Sequence, residues 1–216
     1  MRLAIFIILT FVFSGCSLKT INTQSVQNSD IKNSIKIDNQ GLYKNYLKRY
    51  EYTLNLSKYV GKRAIDCSAL IATINNKNSD IYSLNNLSFY YGKDGRRSQA
   101  IYNLYKSKDW LNYHSATPGD LIFFNNTTKS TRGKKTHNIT HIGIVKSIKD
   151  DGTIVFLHNL KGKNILSVMN LTYKDNHKVD GKKINAYIIA NCKSASCLVS
   201  NRFSGFGKIN KDISVK

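Results

Sequence analysis

The chain has 216 residues, and its 33 Lys and Arg against 13 Asp and Glu give a formal net charge of +20. That length suits one domain of ordinary size with additional terminal segments, and it is long enough to bury a substantial core. The charge predicts attraction to polyanions, namely nucleic acid, anionic lipid or a carboxylate-rich cell wall. The sequence contains no recognisable nucleic-acid-binding motif, which disfavours the first of these partners.

The beginning of the chain indicates export. A short basic start precedes an apolar run over residues 3–13, which is shorter than the roughly 20 residues that a membrane-spanning helix needs. Residues 1–15 are therefore predicted to be a secretory signal peptide. Export also disfavours nucleic acid as a partner.

The residues that end this segment, Phe13-Ser14-Gly15-Cys16, resemble the lipobox of bacterial lipoproteins. The resemblance implies that Cys16 is acylated, and several acyl chains would make the membrane anchoring stable. Ser17 stands where retention in the inner membrane usually shows Asp, so the outer membrane and its periplasmic face are expected. Ordinary signal cleavage near Gly15, which leaves Cys16 free, is the alternative.

Composition divides the mature chain into three parts. Residues 16–40 are rich in Ser, Thr, Asn, Gln and Lys without a sustained hydrophobic period, and they are predicted to form a flexible tether. Residues 41–200 carry the periodic apolar patterns and are predicted to form the folded domain. Residues 201–216 are basic and contain Gly and Ser, which predicts a poorly ordered C-terminal tail.

Cys192 and Cys197 are predicted to form a disulfide, because an exported protein reaches an oxidising compartment. A metal site is not expected there, since no second cysteine pair accompanies them and the closely spaced His137 and His141 lie far upstream. No cofactor is predicted. Cys67 is then left as a lone thiol.

Cys67 stands where a polar segment gives way to an apolar one. Asp66 is a good N-cap, and the apolar residues that follow predict a short helix that ends at residues 75–78. In the first turn of that helix, unpaired backbone N–H groups and the helix dipole favour a thiolate at Cys67. The alternative is that Cys67 is a small buried hydrophobic residue. The expected buried stripe is Ala69, Leu70, Ile71, Ala72 and Ile74.

Two further helical regions are predicted. Residues 41–60 carry Leu and Tyr at three- and four-residue steps with Lys and Arg on the opposite side, which is typical of an amphipathic helix. Residues 81–111 allow one or two helices, broken around residues 91–95.

From residue 118 onward the hydrophobic period changes to that of strands. A turn is predicted at residues 118–120, and a long basic loop is predicted at residues 125–140. The second and third of the predicted strands form a hairpin. The predicted strands are residues 121–124, 141–145, 153–158 and 184–190.

The loop of this hairpin decides whether two histidines meet. With a four-residue loop over residues 149–152, Gly143 faces His158, and His141 lies diagonally across from His158 on the same face. A two-residue loop keeps the face but moves the pair apart. A three-residue loop puts the two histidines on opposite faces.

The order of these residues suits thiol acyl transfer: a cysteine that opens a helix, then His141, then His158. A thiolate attacks a carbonyl, an imidazole holds that thiolate and later protonates the leaving amine, and a third polar group fixes the tautomer of the imidazole. Backbone N–H groups at the helix start could stabilise the oxyanion. His137 and His177 are predicted to be solvated loop residues.

Four short motifs within residues 59–190 resemble those of the NlpC-type cell-wall cysteine peptidases, the NlpC and p-sixty family. The resemblance implies an α+β, papain-like domain in which the cysteine helix packs on a small antiparallel sheet. It also implies hydrolysis of the peptide stems of peptidoglycan, typically between D-glutamate and a diamino acid. The motifs are Asp66-Cys67-Ser68, Pro118-Gly119-Asp120-Leu121-Ile122-Phe123-Phe124, Thr140-His141-Ile142-Gly143-Ile144-Val145 and Phe156-Leu157-His158.

The resemblance also assigns roles to individual residues. It implies that Cys67 is the nucleophile, that His141 is the base and acid, and that His158 orients His141. Asp66 and Ser68 flank the nucleophile, where some members of the family bind the free amine of the substrate.

The chain departs from the family pattern in the segment before the cysteine. Members usually carry a Tyr followed closely by a Gly pair, whereas Tyr59 and Gly61 stand here nearer to Cys67, and Ala69 replaces a usual Gly. Tyr59 is the candidate for a further substrate-binding residue. The long basic loop at residues 125–140 is expected to reshape the cleft.

Two other functions stay open on the sequence alone. One is an amidase or acyltransferase on the same scaffold, which the bond that is broken would distinguish. The other is a non-catalytic, basic lipoprotein that binds the cell wall. The expected partners of the leading hypothesis are peptidoglycan stem peptides and the membrane, and a protein regulator could be a further one.

Overall fold

The computed structural model describes residues 55–78 and 81–209. The predicted signal peptide, the lipid site Cys16, the tether and residues 41–54 of the predicted first helix lie outside the described residues. The end of that predicted helix forms a 3-10 turn over Ser57–Tyr59. No helix in the described part of the chain is long and apolar enough to cross a membrane.

The helices between residues 67 and 107 form where the apolar periodicity predicts them. Helix α1 (Cys67–Asn78) begins at the lone cysteine. The region after it forms α2 (Leu84–Leu87), a 3-10 turn (Ser88–Tyr90) and, after the predicted break, α3 (Arg97–Ser107). A short helix, α4 (Val199–Arg202), follows much later in the chain.

The strands, in chain order, build one large antiparallel sheet and one separate two-stranded ribbon. They are β1 (Leu111–Asn112), β2 (Leu121–Asn125), β3 (Ile139–Ile148), β4 (Ile154–Leu160), β5 (Lys163–Met169), β6 (Lys178–Val179), β7 (Lys182–Lys183) and β8 (Phe203–Gly207). Within the described residues, the large sheet has the order β1-β8-β2-β3-β4-β5, and β6 pairs with β7. Helices and an antiparallel sheet together confirm the predicted α+β class.

Two hydrophobic cores lie on opposite faces of the large sheet, and β2 contributes to both. Leu121 and Phe123 pack in the core that contains the apolar residues of α1 and α3. Ile122 and Phe124 point to the other face, where they belong to a second core. Burial on both faces explains why the sequence of β2 is a continuous apolar run rather than an alternating one.

The predicted C-terminal tail is wrong for residues 201–209. Phe203–Gly207 is strand β8, which lies between β1 and β2 in the sheet. A side-chain Cβ at Gly207 would lie 2.7 Å from the Tyr105 ring, and one at Gly205, where φ is +128°, would lie 3.0 Å from the Tyr113 ring. The glycines in this segment therefore permit close packing and do not mark flexibility.

An ion pair next to β8 also places this segment inside the folded domain. The Lys208 Nζ atom lies 2.7 Å from Asp120 Oδ2, and the Asp120 side chain is buried. The same oxygen accepts a hydrogen bond from the Thr117 N–H at 2.8 Å. The domain that was predicted to end at residue 200 therefore extends at least to residue 209.

The strand predicted over residues 184–190 is also wrong. The Ala186 N–H donates to the Val168 carbonyl at 2.9 Å and the Ile188 N–H donates to the Cys197 carbonyl at 3.0 Å, but Tyr187 forms only an isolated bridge. Apolar side chains of this segment pack on the second core, so burial rather than strand pairing explains its apolar pattern.

Cys192 and Cys197 form a disulfide, as the sequence predicts. A 3-10 turn over Ala195–Cys197 brings the second cysteine back to the first. Cys197 is buried in the second core, so the cross-link holds the loop between the two cysteines against the body of the domain.

Candidate active site

Helix α1 begins at Cys67 because Asp66 caps it. The Asp66 Oδ1 atom accepts hydrogen bonds from the Ala69 N–H at 2.7 Å and from the Ser68 hydroxyl at 2.8 Å. This satisfies one of the backbone donors that every helix start leaves unpaired, and it confirms the predicted N-cap. Cys67 is thereby fixed as the first residue of the helix.

The Cys67 thiol is protonated at neutral pH. Burial raises the pKa of Cys67 to about 11, and the negative charge of Asp66 acts in the same direction. Hydrogen bonding from the backbone of Ile142, and from the helix start at Cys67 and Ser68, lowers this pKa by less. The prediction of a thiolate is therefore right about the effect of the helix start and wrong about the net result, because burial outweighs it.

His141 on β3 and His158 on β4 meet as the hairpin predicts. The His141 Nε2 atom lies 2.8 Å from the His158 Nδ1 atom, and the two rings are nearly perpendicular. Gly143 is the register partner of His158, so His141 lies diagonally across from it. Both rings are buried, with 8% of His141 and 1% of His158 exposed.

A β-bulge produces this register. A four-residue loop over residues 149–152 would pair Ile148 with Thr153. In the structure Ile148 pairs with Ile154 instead, so the strands are offset by one residue at the turn. The irregularity between Val145 and Ser147 takes up that extra residue. Without the bulge, the two histidines would lie on opposite faces of the sheet, because a shift of one residue inverts every side chain.

Gly143 lets the two histidine strands approach each other. A Cβ at this position would lie 2.9 Å from the Leu157 carbonyl oxygen and 3.2 Å from the Cβ of His158. A side chain here would therefore push against β4 at the residue that pairs with Gly143.

Strand β5 adds a group that the sequence analysis missed. The His158 Nε2 atom lies 2.8 Å from the hydroxyl of Ser167, and Ser167 is buried. β5 follows β4 through Lys161 and Gly162, whose φ values are 52° and 80°. Two consecutive residues with positive φ are typical of a tight hairpin turn, and the glycine at the second position was the sequence signal that could have predicted β5.

Burial keeps both imidazoles neutral at physiological pH. It lowers the pKa of His141 to about 4, against a smaller opposing effect of Asp66. It lowers the pKa of His158 well below the ordinary value, and the charge of a protonated His141 and of Lys183 acts in the same direction. Each neutral ring carries one N–H, and only one N–H can lie between His141 Nε2 and His158 Nδ1. All the hydrogen bonds from His141 to Ser167 must therefore point in the same direction.

Two directions of donation are compatible with the observed distances. In the first, His141 Nε2–H donates to His158 Nδ1, and His158 Nε2–H donates to Ser167 Oγ. In the second, the Ser167 hydroxyl donates to His158 Nε2, and His158 Nδ1–H donates to His141 Nε2. Only the first direction leaves a lone pair on His141 Nδ1, which is the atom that could accept a proton.

Cys67 lies where two recesses of the surface meet. Asp66 and Cys67 line both recesses, and Ser68 lines the larger one, which has a volume of about 470 Å³. The smaller recess, of about 360 Å³, contains His141. The predicted basic loop does shape the cleft, because it contributes Thr127, Thr128, Lys129 and Thr140 to the smaller recess.

The structure does not bring Tyr59 together with Asp66 and Ser68, the other predicted substrate-binding residues. Its ring is buried in the core on the helix side of the sheet, and it lines neither recess. Its backbone carbonyl accepts a hydrogen bond from the Asn164 side chain at 3.2 Å, which fixes the 3-10 turn against β5. The residue is part of the packing beneath the site.

The other two histidines that the sequence singles out lie away from this chain of hydrogen bonds. His137 is exposed, as predicted, with its ring 5.9 Å from that of Tyr102. His177 is not a solvated loop residue, because its Nδ1–H donates to the Asn185 carbonyl at 2.6 Å and its ring stacks on Tyr187.

Among residues 55–78 and 81–209, no group of three or more His, Cys, Asp or Glu side chains is arranged to hold a metal ion. Among the polar groups that line the two recesses are a thiol, the His141 imidazole, a carboxylate and hydroxyls. Such a set can act as a nucleophile and a proton acceptor.

Comparison of the chain with protein-family models, with curated proteins and with solved structures found no match. The geometry of the site and the four sequence motifs are therefore what supports a function.

Proposed function

We propose that the protein hydrolyses amide bonds by thiol acyl transfer, with Cys67 as the nucleophile and His141 as the base. The observation that carries this proposal is the buried chain from His141 through His158 to Ser167, whose first ring lines the same recess as the thiol. The backbone of Ile142, directly after His141, also acts on the thiol and lowers its pKa. A nucleophile, a base and a group that orients the base are the parts that acyl transfer needs.

The neutral resting state determines how the first step proceeds. Since both the thiol and the imidazole are uncharged, the thiol proton passes to His141 Nδ1 as the sulfur attacks the carbonyl carbon. The S–C bond forms while the carbonyl π pair moves onto the oxygen. His158 accepts the hydrogen bond from His141 Nε2–H and so stabilises the imidazolium that results.

The remaining steps return the site to its starting state. The tetrahedral intermediate collapses, the C–N bond breaks, and His141 gives its proton to the leaving amine. Water then attacks the thioester with His141 as the base, and the product acid leaves as the thiol is restored. Backbone N–H groups at the start of α1 could bind the oxyanion in both halves of the reaction.

We propose further that the substrate is the peptide stem of peptidoglycan, cut between D-glutamate and a diamino acid by a papain-like domain. The resemblance of the four motifs to NlpC-type peptidases supports this substrate. Export, with lipid attachment through Cys16 on the periplasmic face of the outer membrane, is part of the same proposal. The disulfide between Cys192 and Cys197 is compatible with an oxidising compartment.

The test is digestion of purified sacculi and muropeptides by the wild-type protein and by the Cys67→Ala variant, with the products identified by mass spectrometry. The wild type is expected to release new amino and carboxyl termini within the stem peptide, and the variant is expected to release none. Equal products from both proteins would contradict the proposal. The bond that is broken would distinguish an endopeptidase from an amidase or an acyltransferase.

A non-catalytic protein that binds the cell wall is the second candidate, and the net charge of +20 favours it. In that case, binding to sacculi would survive Cys67→Ala, and the wild type would release no product.

A further inference from the structure

The larger recess beside Cys67 contains two arginines with different surroundings. Arg96 forms an ion pair with Asp94, in which Nε and Oδ2 are 3.0 Å apart. Arg97, the next residue, lines the same recess. In the part of the chain that the structure describes, no carboxylate lies within ion-pair distance of Arg97.

The Arg97 guanidinium is held in place by a tyrosine but keeps unused donors. Its Nε–H donates to the Tyr91 hydroxyl at 3.4 Å, a long hydrogen bond, and this contact raises the pKa of Arg97. No other hydrogen bond of this side chain is present among residues 55–78 and 81–209. A guanidinium has five N–H donors in a planar fork that matches a carboxylate.

The position of Arg97 works against the stability of its helix. Arg97 is the first residue of α3, no acidic residue stands in the first turn, and no side chain caps the helix start. A cation at the positive end of a helix dipole is unfavourable, whereas an anion there is favourable. A residue type that lowers the stability of its own helix is expected at positions where the residue serves a function.

We propose that Arg97 binds a carboxylate of the substrate, so that the larger recess selects a peptide with a free carboxyl group near the scissile bond. This inference rests on the proposed function of the cleft. The other charged groups that line this recess have partners: Arg96 pairs with Asp94, and Asp66 accepts hydrogen bonds from Ser68 and Ala69. The charge of Asp66 also acts on Arg97, but the two side chains form no ion pair. A carboxylate at Arg97 also lies near the start of α3, where the dipole adds to the attraction.

A pair of peptides tests this subsite. They have the same stem sequence and differ only in whether the α-carboxyl group of glutamate is free or converted to the primary amide. The affinity of each peptide is measured by calorimetry with the full chain carrying Cys67→Ala, and kcat/KM is measured with the wild type. The free acid is expected to bind, and to be hydrolysed, about tenfold or more better than the amide.

Arg97→Gln is expected to remove this preference, and Arg97→Lys is expected to keep part of it, because Lys preserves the charge but not the fork. The matched control is Arg96→Gln, which removes a neighbouring charge of the same recess and should leave the preference intact. Thermal melting of each variant verifies that the fold is retained. Loss of the preference in Arg96→Gln to the same extent, or an unchanged preference in Arg97→Gln, overturns the assignment.

The two readouts separate the subsite from the reaction. Hydrolysis of both peptides at equal rates leaves the proposed function standing and removes the carboxylate subsite. Acid-selective binding that depends on Arg97, without any hydrolysis, leaves the subsite standing and removes the peptidase. The assignment is also overturned if the two peptides bind equally well or if neither peptide binds.

Discussion

The thiol and the imidazoles of the site are positioned in different ways. Cys67 is fixed by contacts within its own segment, since Asp66 caps the helix that begins at the cysteine. His141 is fixed by strand pairing and by a chain of hydrogen bonds that runs through His158 on β4 to Ser167 on β5. The comparison teaches that the position of the nucleophile depends on the residues next to it in the sequence, whereas the position of the base depends on strand register across the sheet.

The two sides of the site nevertheless share one electrostatic property. Burial raises the pKa of the Cys67 thiol and lowers the pKa of the His141 imidazole, so both groups are neutral at pH 7. The proposed reaction therefore starts from a thiol and a neutral base, not from an ion pair.

The largest expected effect comes from removing the His141 imidazole while the neighbouring His158 stays in place. His141→Ala is expected to lower kcat/KM for muropeptide hydrolysis at least about 1,000-fold, because it removes the imidazole that lines the same recess as the thiol. The control is His137→Ala, which removes an exposed imidazole four residues earlier and should change the rate less than about twofold. Comparable losses in the two variants would show that the strand position does not define the base.

The second prediction concerns the thiol. The rate of iodoacetamide alkylation at Cys67, followed by mass spectrometry of its peptide, should rise about tenfold per pH unit from about pH 7 to 10. The reason is that only the thiolate reacts, and a pKa of about 11 keeps its fraction small. For the same cysteine in the unfolded chain, the rate should reach half of its plateau at about pH 8.5. A rate that is already constant from about pH 5 upward would indicate a thiolate–imidazolium pair instead.

The third prediction concerns stability at acid pH. The unfolded chain binds protons at His141 and His158 with a pKa of about 6.5, whereas the folded chain binds them only at lower pH. Between about pH 6.5 and 4 the unfolded state holds more protons, so the free energy of unfolding falls as the pH falls, by about 1.4 kcal/mol per pH unit for each histidine. Urea unfolding at a series of pH values measures this slope.

His158→Asn should reduce that slope, since only one of the two buried imidazoles is then left to titrate. Above about pH 7 the free energy of unfolding of the wild type should be insensitive to these two groups. A wild-type slope of zero between pH 6 and 5 would contradict the assignment of both rings as buried and neutral.

The smallest effect is expected at Ser167, which acts through His158 as a positioning residue. Ser167→Ala is expected to lower kcat about tenfold with little change in KM, because the His158 Nε2–H loses its hydrogen-bond acceptor and no longer holds the ring in place. Ser167→Thr keeps the hydroxyl and should restore most of the rate. A purely structural role would instead lower the melting temperature of Ser167→Ala and leave kcat unchanged.

The local features of the site were predictable from the sequence, and the long-range ones were predictable only in part. The N-cap Asp66 and the helix that follows it are confirmed, because both depend on neighbouring residues. The meeting of His141 and His158 is also confirmed, but the bulge between Val145 and Ser147 that makes it possible has no local signal. Strand pairing energy summed over the hairpin decides where such a bulge falls.

The errors have a common cause in packing between distant parts of the chain. Tyr59 was predicted in the cleft and lies in the core, and Gly205 and Gly207 were predicted in a loose tail and lie against aromatic rings. A glycine or a tyrosine has the same appearance in the sequence whether it is exposed or packed. Only the neighbours brought by the fold decide which of the two applies.

The place of β8 in the sheet has a consequence for synthesis and truncation. β2 ends at Asn125, but the strand that covers one of its edges begins only at Phe203. Until that late segment emerges from the ribosome, β2 exposes an apolar edge that can pair with another molecule. A fragment that stops at residue 200 should therefore aggregate, even though it contains every residue of the proposed catalytic chain.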